Sequence, residues 1–78
     1  MPLPGLPTGG APSPDERRWT LTKDTRTAVC WQRRHPLGLE LRVDVNGDTM
    51  RTTVARSGEE ADAESSRMRA LMIERGWA

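Results

Sequence analysis

The stretch LELRVDVNGDTMRTTVA, residues 39–55, contains the pattern that decides the fold. From Leu39 to Val45, apolar and charged residues alternate, which is the period of a half-buried strand. Asn46 and Gly47 then form a strong hairpin signal, because a type I′ turn needs positive φ at both central positions. The stretch therefore predicts two antiparallel strands joined by a two-residue turn.

This turn also predicts how the two strands pair. The expected pairs are Val45 with Asp48, Val43 with Met50, Leu41 with Thr52, and Leu39 with Val54. Such a register would place the apolar side chains of both strands on one face. It would also set Arg42 opposite Arg51 on the other face, where like charges repel unless a carboxylate or a bound partner neutralises them.

The residues before this hairpin predict another one. The segment WTLTK alternates apolar residues with threonines, TAVCWQR is rich in strand formers, and KDTR between them is typical of a tight turn. HPLG would link the two hairpins, with His35 held extended by Pro36 and a bend at Gly38. The sequence thus predicts four strands in succession.

Two registers compete in the first hairpin. A two-residue turn at Asp24 and Thr25 would bury Cys30 beside Trp19 and send Trp31 outward. A three-residue turn would bury Trp31 and leave Cys30 outside. Because burying one more large aromatic side chain is worth roughly 2–3 kcal/mol, we expect Trp31 to lie inside.

The last segment predicts a helix. Ser57 and Glu60 have the spacing of a capping box, and Gly76 lies where a left-handed C-terminal cap is expected. Apolar or small residues recur at helical spacing at Ala61, Ser65, Met68, Leu71 and Met72. The predicted fold is a four-stranded antiparallel β-meander (ββββα), with the C-terminal helix packed on one face and Trp77 folded back onto it.

The first residues differ in composition from the rest. Five of the six prolines and three of the seven glycines lie in residues 1–14. This content predicts an extended Pro/Gly-rich arm at residues 1–16, followed by a small domain at residues 17–78. A core of that size rarely supplies more than about 3–5 kcal/mol of net stability.

Composition excludes several classes of protein. Twelve basic and eleven acidic residues leave a net charge of +1, which by itself does not indicate a nucleic-acid binder. A single cysteine cannot form an internal disulfide, and no apolar run approaches the roughly 20 residues of a membrane helix. The start of the chain lacks the pattern of a signal peptide. We expect a cytoplasmic protein that does not contact a membrane.

Catalytic and metal-binding patterns are weak. Cys30 and His35 suggest a thiolate–imidazole pair, but no acid is placed to orient the imidazole. One cysteine and one histidine are also too few for a structural zinc site. Because no phosphate loop, nucleophile elbow or paired carboxylates occur, we expect no enzyme activity, no catalytic residues, no cofactor and no metal.

The remaining hypotheses concern binding. The main one is an accessory or adaptor protein that binds a larger protein partner, such as an enzyme complex, through its arm and its sheet. The expected contact residues are Leu3, Leu6, Arg33, Arg34, Arg42 and Arg51. A homodimer formed through open strand edges is a further possibility. The alternative is a nucleic-acid-binding regulator that uses the same arginines, with an outward Trp31 as a stacking platform.

Overall fold

The computed structural model describes residues 15–78. The predicted contacts Leu3 and Leu6 lie outside the described residues, as does nearly all of the predicted arm. The elements in chain order are β1 (Glu16–Lys23), β2 (Arg26–His35), β3 (Gly38–Val45), β4 (Asp48–Ala55) and α1 (Gly58–Glu74). The strands form one antiparallel sheet in the order β1-β2-β3-β4. The predicted meander with a C-terminal helix is confirmed.

The two faces of this sheet carry different side chains. We call the side that α1 covers the inner face and the opposite side the outer face. The inner face includes Trp19, Leu21, Ala28, Cys30, Leu41, Val43 and Ala55. By the same pairing, the outer face includes Arg17, Thr20, Val29, Trp31, Arg33, Glu40, Arg42, Asp44, Thr52 and Val54.

Both hairpin turns have two central residues, so the three-residue turn that we expected in the first hairpin is wrong. Asn46 and Gly47 have φ of +51° and +87°, which fits the expected turn. The side-chain oxygen of Asn46 also accepts a hydrogen bond from the backbone N–H of Thr27 at 3.0 Å, which ties this turn to β2. In the first hairpin Lys23 pairs with Arg26, and Asp24 has φ of +56°.

The predicted pairing of β3 with β4 is right only next to the turn. Val45 pairs with Asp48, but Met50 is then an extra residue in β4, and Val43 pairs with Arg51. Because of this β-bulge, every later side chain of β4 lies on the face opposite to the one predicted. Val54 is therefore exposed on the outer face, whereas the smaller side chain of its neighbour faces the helix.

The prediction that Trp31 lies inside is wrong. Cys30 pairs with Val43 and Trp19 on the inner face and is fully buried, while Trp31 lies on the outer face. The physical reason is the closeness of the helix, because a small residue, Ala61, packs against the same cluster. A large indole would not fit at Cys30 without displacing α1.

The start of α1 follows the predicted capping box with a small difference. The Ser57 hydroxyl accepts a hydrogen bond from the backbone N–H of Glu60 at 3.1 Å. The Glu60 carboxylate accepts from the backbone N–H of Arg56 at 2.7 Å, one residue earlier than expected. Both bonds fix the helix start close to the end of β4 at Ala55, which brings its first turns against the sheet.

The apolar stripe of α1 packs on the inner face. Ala61, Ser65 and Met68 are buried there, as the helical spacing predicts. The indole N–H of Trp19 lies 3.0 Å from the hydroxyl oxygen and 3.2 Å from the backbone oxygen of Ser65, so it can donate to both. Leu71, which the sequence places on the same stripe, is 39% exposed. The second half of the helix is therefore less well covered than the first.

The last residues of the chain close one end of the inner face. Gly76 has φ of +99°, the left-handed conformation expected of a helix cap. Trp77 folds back as predicted, but it packs on Leu21 and Ala28 of the sheet, with Met72 of the predicted helix stripe packed against the same cluster. Ala78 exchanges two backbone hydrogen bonds with Thr22, at 2.8 and 2.9 Å. The exposed edge of β1 is thus partly paired by the chain itself.

Candidate functional site

The outer face centres on one row of side chains that crosses all four strands. Arg17, Trp31, Arg42 and Thr52 pair in succession from β1 to β4. Trp31 therefore lies between two arginines in the strand pairing. Within residues 15–78, no helix or strand packs over this row, because α1 contacts the inner face. A partly exposed tryptophan on an uncovered sheet is the most distinctive feature of this face.

Arg42 is held in place by two carboxylates. Its guanidinium lies 2.9 Å from the carboxylate of Asp15 and 3.1 Å from that of Asp44. Burial works against the charged form of Arg42, but the hydrogen bonds and charges of the two acids outweigh it and raise its pKa. The Thr49 hydroxyl donates to Asp44 at 2.9 Å and fixes that acid in turn. The position of Arg42 is therefore well defined.

A second ion pair lies next to this row. Arg33 pairs with Glu40 at 3.2 Å across β2 and β3, and Val54 lies opposite Glu40 on β4. The outer face and its rim thus carry three arginines, Arg17, Arg33 and Arg42. They also carry three carboxylates, Asp15, Glu40 and Asp44. The charges balance, so the face is polar without a net positive field.

The structure places the four predicted arginines differently. Arg33 and Arg42 lie on the outer face, which was expected for Arg42. The prediction that Arg42 faces Arg51 is wrong, because the bulge turns Arg51 inward, where it lies 3.8 Å from Glu64 of α1. Arg34 pairs with Leu39 and so belongs to the inner register, although it is exposed at the end of β2.

Sequence reasoning missed two residues of the outer face. Arg17 neighbours Trp31 because β1 contains its own bulge at Arg18, which no local pattern signals. Arg18 instead turns to the inner side, where it donates to Gln32 and Asp62. Asp15 was assigned to the arm, yet its carboxylate binds Arg42. The sequence signal for this contact was the acidic side chain of Asp15 directly before β1.

Cys30 and His35 do not form a site together. Cys30 is fully buried on the inner face, and its distance from His35 along the strand is roughly 16 Å. Burial raises the pKa of the Cys30 thiol, although a hydrogen bond with Ser65 and the charge of Arg18 lower it in part. The imidazole Nδ1 of His35 accepts a hydrogen bond from the backbone N–H of Leu37 at 3.1 Å. Each residue has a structural partner of its own.

Three further observations concern metal sites, membrane-spanning helices and similarity to known proteins. Within residues 15–78, no three His, Cys, Asp or Glu side chains are grouped as a metal site would need. The same residues include no helix with the length and apolar character required to cross a membrane. Comparison of the chain with protein-family models, with curated proteins and with solved structures gave no match in any of the three.

Proposed function

We propose that this chain is a non-catalytic accessory or adaptor protein that docks on a larger protein partner through the outer face. The observation that carries the proposal is Trp31, an indole that is partly exposed between Arg17 and Arg42 on an uncovered sheet. Tryptophan and arginine are the residue types that contribute most binding energy at protein interfaces. A partner subunit of an enzyme complex fits this description. We assign the protein to the cytoplasm because its single thiol suits a reducing compartment.

The charge balance of the outer face favours a protein partner. Arg33 and Arg42 already have carboxylates within hydrogen-bond distance, so their charges are largely neutralised before anything binds. A protein surface of mixed polarity needs no excess of positive charge on its partner, whereas a phosphate backbone does. Trp31 would then supply apolar contact area and the fixed arginines would supply orientation.

The attachment point of the arm supports a shared docking surface. Asp15 binds Arg42, so residues 1–14 join the domain beside the central row of the outer face. An arm attached there can contact the same partner, with Leu3 and Leu6 as its apolar anchors. Two linked contacts strengthen binding because the second contact forms at a high effective concentration.

The free strand edges favour self-association less. Ala78 already pairs with the edge of β1 at Thr22, and the bulge at Met50 interrupts the edge of β4. Bulges and short paired edges are the usual devices that keep strand edges from pairing with other chains. We therefore propose the outer face, rather than an edge, as the docking surface.

One observation favours a second candidate function. Because Trp31 faces outward with arginines on both sides, the outer face could stack a base of single-stranded nucleic acid. Salt dependence separates the two functions. Binding to phosphates should weaken steeply between about 50 and 200 mM salt, as counterion release requires, whereas a contact centred on an indole should change little.

Site-directed photocrosslinking in the native host tests the docking surface. When benzoylphenylalanine replaces Trp31, it should crosslink to one specific protein in measurable yield. The matched control replaces Arg69, which is exposed on the helix side of the domain, and should not crosslink that protein. Crosslinks of equal yield from both positions, or of nucleic acid alone from Trp31, would contradict the proposal.

The captured partner then allows a quantitative test. Trp31→Ala should weaken binding by about 2 kcal/mol, or about 30-fold, as expected of an interface hot spot. Deletion of residues 1–14 should also weaken binding, whereas Arg69→Glu should not. Isothermal titration calorimetry measures all three changes. Unchanged affinity in the Trp31 variant would contradict the assignment of the outer face.

A further inference from the structure

A second surface lies on the other side of the sheet. The less well covered half of α1 and the strands β3 and β4 enclose an apolar groove of about 330 Å³. Its floor includes Val43 and Val45, and its walls include Met68, Leu71 and Met72. Met50, the bulged residue of β4, stands at the rim and is 67% exposed. Methionines make such a groove adaptable to differently shaped apolar groups.

The rim of this groove is positively charged. Arg26, Arg51 and Arg75 line it, and none of the described residues that line it is acidic. Arg26 lies over the ring of Trp77, at 5.2 Å from its centroid, and this packing holds its guanidinium at the rim. Neither Arg26 nor Arg75 has a carboxylate within 4.0 Å among residues 15–78. The groove therefore combines apolar walls with largely unneutralised positive charge.

We propose that this groove is a docking site for an acidic amphipathic peptide segment of a partner protein. A leucine or phenylalanine side chain would enter between Met50 and Leu71, and flanking aspartates or glutamates would pair with Arg26 and Arg75. Short helices that place apolar anchors at helical spacing bind grooves of this kind. The site lies opposite the outer face, so it is independent of the proposed function.

Charge also decides against the nearest alternative occupant, the chain's own first segment. Residues 1–14 contain no aspartate or glutamate that could pair with the three rim arginines. That segment also joins the domain at Asp15, whose carboxylate contacts Arg42 on the outer face. An acidic partner matches the groove better than an uncharged arm that is attached on the other side of the sheet.

Titration of the full chain with synthetic peptides, followed by ¹⁵N NMR, tests this site. The probes are an acidic amphipathic peptide of about 8–12 residues, its lysine-substituted counterpart and the fatty acid laurate. The acidic peptide should shift the amide signals of Met50, Leu71 and Arg75 and the indole signal of Trp77. The basic peptide should leave these signals unchanged, because the rim arginines repel it.

Two groove variants and one matched control complete the test. Met50→Glu and Arg75→Glu alter exposed side chains, and each should weaken the acidic peptide about tenfold or more. Arg17→Glu makes the same charge change as Arg75→Glu, but on the outer face, and should leave peptide binding intact. Retained dispersion of the amide signals shows that each variant is folded.

Four results would overturn the proposal. One is the absence of any shift at the groove with the acidic peptide. Another is equal binding of the acidic and basic peptides. The third is binding of laurate without binding of the peptide, which would assign the groove to fatty acids instead. Loss of peptide binding in Arg17→Glu would place the peptide on the outer face and contradict the groove site as well.

Discussion

Successive residues of β2 point alternately to the inner and the outer face of the sheet, yet the side chains on the two faces differ in size and in exposure. Ala28 and Cys30 point inward and are fully buried, whereas Val29 and Trp31 point outward and stay partly exposed. The larger side chains of this strand are thus on the face without a helix. The contrast shows that a side chain on the face that packs against the helix must fit the available space, and that its apolar area alone does not decide its position.

The geometry of the inner face explains this choice. Ala55 and Ala61 are also almost fully buried, so the contact between sheet and helix combines small side chains with the larger ones of Leu41, Val43 and Met68. Small side chains let α1 approach the sheet closely, and close packing gains many dispersion contacts. Trp19 on the edge strand β1 and Trp77 beyond the end of α1 pack beside this contact, and each also gains a polar or cationic neighbour.

The strongest test of the contrast exchanges its two central residues. The double variant Cys30→Trp with Trp31→Cys keeps composition constant but puts the indole under the helix. Overpacking of a tight core costs about 1–3 kcal/mol or more, and a domain of this size has only about 3–5 kcal/mol to lose. We expect a largely unfolded chain by circular dichroism and NMR. A stable, native-like double variant would contradict the assigned faces.

A pair of truncations gives a smaller and graded effect. Leu41 is 1% exposed on the inner face, so Leu41→Ala should reduce the free energy of unfolding by about 2–5 kcal/mol. Trp31→Ala removes a larger side chain from the outer face but should cost only about 1 kcal/mol or less, the worth of a cross-strand pair. Urea denaturation of both variants measures the difference. Equal costs would show that something covers Trp31 in the free protein.

Much of the fold could be predicted from the sequence because its signals are local. The alternation from Leu39 to Val45, the turn at Asn46 and the cap at Ser57 each depend on neighbouring residues, and all are confirmed. That Trp77 folds back was also predictable, since Gly76 ends the helix just before it, but its packing on Leu21 and Ala28 of the sheet was not.

The faces of individual residues were harder to predict. Each hairpin contains one bulge, at Arg18 and at Met50, and a bulge reverses the side of the sheet on which later residues lie. The alternating pattern cannot reveal an extra residue when both neighbouring positions are polar or both are apolar. The larger apolar area of Trp31 then favoured it as the inner residue. The space that the helix leaves at this position is a tertiary property, so the sequence does not show that only a small side chain fits there.

The buried thiol gives the smallest effect, as a function of pH. Burial raises the pKa of Cys30 above its ordinary value of 9.0, so above that pH the unfolded chain loses a proton that the folded chain keeps. The unfolded state is then favoured, and this contribution to stability, intact below about pH 9, falls as pH rises further. Denaturation curves of wild type and Cys30→Ala between pH 7 and about pH 10 check it. The additional loss above pH 9 should vanish in the variant, and a loss of the same size in both proteins would contradict a buried thiol.

Thiol accessibility tests the assignment of the two faces most directly. A chromogenic disulfide reagent is added to the wild-type chain and to the double variant Cys30→Ala with Trp31→Cys, with both denatured proteins as controls. The wild-type thiol should react at least about 100-fold more slowly than the one introduced at Trp31, because it must wait for the core to open. Equal rates, or a faster reaction at Cys30, would contradict the account of an indole on the open face and a thiol beneath the helix.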